Sequence, residues 1–94
     1  MRKVGQRLPD SPDINDTLGW VYYKKDLASL AVPPLEESLK QRPNSAEVLY
    51  HVGLAYAKLG DKLKARDALE HALKLDPKLF GSEVARNTLA SLSR

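Results

Sequence analysis

Residues 47–77 read EVLYHVGLAYAKLGDKLKARDALEHALKLDP, from Glu47 to Pro77, and this stretch decides the fold. Val52 and Tyr56 stand four apart and so share one face of a helix, with Gly53 beside them leaving room for a close neighbour. Ser45 suits the cap position before this helix; Asn44 is an alternative cap, with Glu47 three residues on to complete a capping box. Gly60-Asp61 breaks the pattern near Leu59. A second helical pattern then runs from about Lys62 to Leu75, with small Ala65 and an apolar stripe of Leu69, Ala72 and Leu73, and stops before Pro77. Two antiparallel helices joined by a short turn follow from this pattern.

Moving outward by 34 residues brings Gly19 onto Gly53, Tyr22 onto Tyr56, Ala31 onto Ala65, Leu35 onto Leu69, Leu39 onto Leu73 and Pro43 onto Pro77. A second unit of the same length therefore precedes the first. Ser11 is placed to cap its first helix, Pro12 suits the first helical position, and Asp13 favours the positive end of the dipole. That helix is expected to run to about Lys25 with Leu18 and Tyr22 on its packed face, and its mate from Ala28 to Gln41. Two departures stand out. Asn15 replaces the bulky residue that Leu49 provides in the later unit, and Pro33-Pro34 falls inside the second helix, which is expected to start late or bend. Pro9, one more period upstream of Pro43, is expected to mark the end of an earlier repeat. Beyond Pro77, Ser82 is placed to cap a closing helix toward Leu92 with Val84, Ala85, Leu89 and Leu92 inward. The expected organisation is a remnant or flexible N-terminus over 1–11, units over 12–45 and 46–79, and a capping helix over 80–94. The fold class is all-α.

The totals agree with this reading. A chain of 94 residues, 43% hydrophobic and 29% charged, suits one small globular domain, neither disordered nor membrane-embedded. No apolar run approaches the roughly 20 residues of a membrane span, and MRKVGQRLPD has charge without the apolar stretch of a secretory signal. Direct membrane insertion is not expected. As it stands the chain reads as soluble and cytoplasmic, or as periplasmic or membrane-anchored if a longer parent carries a signal, so the compartment is open. Zero cysteines exclude disulfides and thiolate metal sites within the chain. A net charge of +3, with Lys62, Lys64, Arg66 and Lys74 interspersed among Asp61, Asp67, Glu70 and Asp76, reads as solvated helix faces rather than a nucleic-acid track.

The stretch DTLGWVYY, Asp16 to Tyr23, resembles the first helix of a tetratricopeptide repeat, and Glu47 to Pro77 resembles nearly a whole repeat of that family. The resemblance covers residues 12–79, and LGWVYYKK is similar to segments of multi-repeat bacterial proteins. It implies an array of two repeats plus a capping helix, a segment of a right-handed α-solenoid, whose first helices line a concave surface. A protein-interaction module binding a partner's peptide or helix is the implied function. The alternative is a purely structural or self-associating segment, since repeat arrays need about three units for stability and two with a cap are marginal. A homo-oligomer or an exchange of helices between chains belongs to that alternative.

The concave sector implied by the resemblance holds Asp13, Asp16, Trp20, Tyr23 and Lys24 in one unit and Glu47, Tyr50, Leu54 and Lys58 in the next. Trp20, Tyr23, Tyr50 and Leu54 would form an apolar floor with charged residues at its edge, a natural seat for a helix or extended peptide. The bland possibility is that Trp20 and Tyr50 pack together between repeats and bind nothing. Family members that bind acidic chaperone tails use a clamp of lysine, asparagine and arginine; the matching positions here are Asp16, Trp20, His51, Gly81 and Ala85, so acidic C-terminal tails are not the expected ligand. No catalytic constellation is present in the sequence, no glycine cluster cradles a phosphate, and no cofactor is expected. His51 and His71 lie on different helices without ligand spacing and read as solvated or packing residues, so no metal is expected.

Overall fold

The computed structural model describes residues 12–92, with the backbone alone for residues 12 and 13. The proposed remnant at 1–11 and the Ser11 cap lie outside the described residues, as does the Asp13 side chain. Five helices make up the described chain, with no strand among the described residues: α1 (Pro12–Lys24), α2 (Ala28–Gln41), α3 (Ala46–Leu59), α4 (Lys62–Leu75) and α5 (Ser82–Leu92). Helix α1 packs on α2 and α3 on α4, each as a hairpin, while α2 joins the pairs by lying against α3. Helix α5 packs on α4 and α3 and so continues the stack. The architecture is an all-α helical-repeat array.

Each hairpin closes around one leucine. A Cβ at Gly19 would lie 2.8 Å from Leu35 Cδ2, and one at Gly53 would lie 2.7 Å from Leu69 Cγ. Only glycine leaves room for those side chains, which are fully buried together with Ala31 and Ala65. The shared residues at the 34-residue offset therefore share one physical task. Leu49, Val52, Ala55, Ala68 and Ala72 extend the core through the second hairpin, and Ala85 brings α5 onto it.

The two hairpin turns are also superposable in their bonding. Asp26 N–H donates to Tyr23 O (2.9 Å) and Leu27 N–H to Tyr22 O (2.9 Å); Gly60 N–H donates to Ala57 O (3.1 Å) and Asp61 N–H to Tyr56 O (3.0 Å). This closure needs a left-handed residue after the first helix, supplied by Asp26 at φ 66° and Gly60 at φ 84°. The next helix starts differently in the two. Asp61 accepts from Lys64 N–H at 3.3 Å, a proper N-cap, whereas Leu27 in the same place offers no side-chain acceptor. Ser45 caps α3 by accepting from Val48 N–H at 3.3 Å.

Four expectations are corrected here. Helix α2 begins at Ala28 despite Pro33 and Pro34, so it does not start late; packing of Leu35 and Ala31 against α1 holds it through the prolines. Leu18 is 41% exposed although its counterpart Val52 is fully buried, because α2 covers that face of α3 and no described element covers it on α1. Val84 faces outward, with Ala85 as the buried residue of α5 and Leu89 and Leu92 partly buried beside it. Ser82 is the first residue of α5 rather than its cap, since Ala85 N–H donates to Gly81 O at 3.0 Å.

Candidate partner-binding cleft

Asp16, Trp20 and Tyr23 recur at helical spacing along α1, and Glu47, Tyr50, His51 and Leu54 do so along α3. Where these two faces meet, the rings form a continuous cluster. Trp20 stacks on Tyr23 at 5.0 Å and 9°, and on His51 at 4.1 Å and 21°; it meets Tyr50 at 6.2 Å and 42°. Lys24 places its Nζ 5.5 Å from the centre of the Trp20 ring. Packing of Trp20 on Tyr50 and exposure of a cleft thus coexist rather than compete.

His51 is the residue that sequence reasoning set aside and the structure brings to the centre. It is buried, and its Nδ1 lies 2.7 Å from Asp16 Oδ1. A carboxylate can only accept, so Nδ1 carries the hydrogen and donates. This bond ties α1 to α3 and fixes the imidazole flat against Trp20. Its signal was invisible along the chain, because Asp16 and His51 come from different units at different positions of the repeat.

Beside this cluster opens a cleft of about 540 Å³. Trp20 forms one wall, Ala46, Glu47, Tyr50 and His51 of α3 the floor, and Asp76, Leu79 and Phe80 from the α4–α5 connection the other wall. Leu79 is buried and anchors the connection, while Phe80 is 98% exposed. The connection fits closely over Tyr50: a Cβ at Gly81 would meet Tyr50 Cζ at 2.6 Å, and Gly81 has a φ of 93°. Glycine is required there twice over, for its left-handed backbone and for the ring beneath it. Burial pushes the Tyr50 phenol above its usual range, and the neighbouring Tyr23 adds to this.

The remaining anticipated groove residues divide. Leu54 is buried in the core and offers no accessible floor. Lys58 turns to the first hairpin turn and donates to Asp26 Oδ1 at 2.8 Å; that hydrogen bond, then its charge, holds the Asp26 carboxyl low and in return the Lys58 ammonium high. Asp16, Glu47 and His51 bring potential ligand atoms within 4.8 Å of one another and are the described residues able to approach a cation together. Asp76, Leu79 and Phe80 were missed in the sequence because they sit in a connection, outside any helical period.

Stacked hairpins with one buried leucine per unit define an α-helical repeat protein. Residues 46–79 match the model of the tetratricopeptide repeat family. The chain is also 39% identical over 51 residues to the cellulose synthase operon protein C of Escherichia coli K12, and equally to the putative cellulose synthase operon protein C of Escherichia coli O157:H7. Each match covers 54% of this chain and 4% of the relative, so the chain spans a small fraction of the length of these bacterial proteins. The tetratricopeptide repeat is a protein-interaction module. Among the described residues no helix is long and apolar enough to cross a membrane.

Proposed function

We propose that this chain is a protein-binding segment whose cleft between α1, α3 and the α4–α5 connection holds a peptide or helix of a partner. The observation that carries the reading is Phe80, a large apolar side chain 98% exposed at the rim of an aromatic cleft. Nothing in the fold rewards such exposure, whereas a guest seated on Trp20 would cover the ring and gain its apolar area. Trp20, Tyr23, Glu47 and Tyr50 remain the groove residues of this reading. Residues 12–45 act as a first repeat and α5 as the cap, so that the cleft lies where one repeat meets the next.

The test is selection of peptides against the chain from a displayed library. Selected peptides should lose about tenfold or more in affinity on Phe80→Ala, the scale of one aromatic hot-spot side chain. Phe80 is the informative position, since its exposure leaves thermal unfolding unchanged on truncation, whereas Tyr50→Ala would empty the space under Gly81. Peptides that bind equally to Phe80→Ala count against the cleft.

A second reading has its own support. Leu18 and Val21 are 41% and 43% exposed on α1, where the matching Val52 and Ala55 of α3 are fully buried. A second copy laid on this face would self-associate through α1. Sedimentation equilibrium should then show a dimer that Leu18→Glu abolishes; a monomer at high concentration removes this reading.

A further inference from the structure

The chemistry of the cleft names its guest. Its charged lining residues are Glu47 and Asp76, and among the described residues no lysine or arginine lines it. Asp16, paired with His51, stands directly behind, with Glu47 close enough for its carboxylate to lie within 4.8 Å of that pair. Asp76 is also the C-cap of α4, so the negative end of that helix dipole adds to the field on the same wall. One Asp76 oxygen already accepts from Lys78 N–H at 3.2 Å, which fixes the carboxylate in position and leaves the other oxygen for a guest. Of the basic side chains near the cluster, Lys58 is bound to Asp26, while Lys24 sets its Nζ 5.5 Å from the centre of the Trp20 ring, so that aromatic wall already takes a cation on its rim.

Resting on the interaction reading above, we propose that the cleft recognises an arginine side chain of a partner peptide, its guanidinium between Glu47 and Asp76 and its planar face on the aromatic wall. Guanidinium is weakly hydrated, stacks on aromatic rings and donates in a fork that suits two separated carboxylates. The exposed Phe80 ring then covers the apolar stem or a neighbouring apolar residue of the peptide. A metal ion suits the site less well, since the His51 nitrogen nearest Asp16 carries a hydrogen donated to that carboxylate and a single histidine serves two carboxylates in an open cleft.

Trp20 is the chain's single tryptophan and reports on the cleft directly. Its fluorescence would be titrated with three matched peptides, Ac-Gly-Leu-Arg-Leu-Gly-amide and its versions with citrulline or glutamate in the central place. Citrulline keeps the shape and removes the charge. The arginine peptide should bind about tenfold or more tightly than the citrulline peptide, as expected for charge-assisted bonds, and the glutamate peptide should bind weakest. Raising the salt from 0.05 to 0.5 M should weaken the arginine peptide alone, and the double variant Glu47→Gln, Asp76→Asn should erase its advantage. Equal binding of arginine and citrulline peptides, with loss on Phe80→Ala, would overturn the arginine assignment and leave the interaction reading standing. Failure of all three peptides to move the Trp20 signal would count against both. Displacement of the arginine peptide by micromolar Zn²⁺ would reassign the carboxylates to a metal and overturn the proposal.

Discussion

In the α3–α4 hairpin Leu49 fills the core, Gly60 takes the left-handed turn, Asp61 caps the following helix, and Asp67 and Ala68 continue it. In the α1–α2 hairpin the same places hold Asn15, Asp26, Leu27, Pro33 and Pro34. Asn15 is buried with its Nδ2 lacking a partner among the described residues, Asp26 adopts a φ that asks for glycine, Leu27 cannot cap, and the prolines remove two helical donors. Both hairpins nevertheless close around the same buried leucine and glycine with the same turn bonds. The difference teaches that a few small-against-large contacts suffice to set this fold, while the local signals around them adjust how firmly each unit holds.

That comparison is broken most severely at the leucines. Leu35→Ala and Leu69→Ala each remove a side chain with no exposure, and each should lower stability by about 2–5 kcal/mol in urea denaturation. Near-equal losses would show that the two hairpins share one core despite their differing surroundings. Exchanging Pro33 for Asp and Pro34 for Ala, the residues of α4 at those places, should raise stability by about 3 kcal/mol, since an interior proline removes a hydrogen bond and crowds the preceding turn. No gain would mean that α2 has already adapted to its prolines.

Asn15→Leu makes the first hairpin match the second in its core. Replacing a buried amide whose nitrogen has no partner among the described residues by an apolar side chain of similar size should add about 1–2 kcal/mol, read as a higher thermal midpoint. A loss instead would place a polar neighbour or water against Asn15. The smallest effect concerns Tyr56, whose hydroxyl donates to Glu36 across the junction of the two hairpins. Burial first, then the hydrogen bond and charge of Glu36, raise the Tyr56 phenol well above its usual range. Below about pH 10 both folded and unfolded chains keep the proton and the contribution is fully present. As pH rises past that point the unfolded chain loses the proton first, and stability falls until the folded-state phenol also ionises. Tyr56→Phe should cost about 1 kcal/mol at neutral pH and make the alkaline loss of stability shallower in pH-dependent unfolding.

Much of the fold was legible because its determinants are periodic. The 34-residue offset, Gly60-Asp61 and the proline stops located α2 and α4 to their end residues, and α1 and α5 to within one. Leu18 and Val84 were misjudged for a shared reason: a helical period assigns faces but not which face a neighbour covers, and that depends on the order of the stack. At the cleft, Trp20, Glu47 and Tyr50 were readable as one sector of two first helices, with Tyr23 of the same sector stacked on Trp20. Leu54 was drawn into that sector by its angle and lies in the core instead. His51 and Asp16 became partners through contact between units, and no spacing within a unit encodes that.

The sequence alone determined helices, their ends and their pairing, because caps, turn residues and a glycine opposite a leucine act over a few residues or within one hairpin. Only the tertiary structure decided that the α4–α5 connection swings over Tyr50, leaves Phe80 in water and adds Asp76 to Glu47 around one cleft. Its reason is geometric: the wall of the cleft is set by how successive hairpins stack, and residues far apart in the chain meet there without any local rule to announce them.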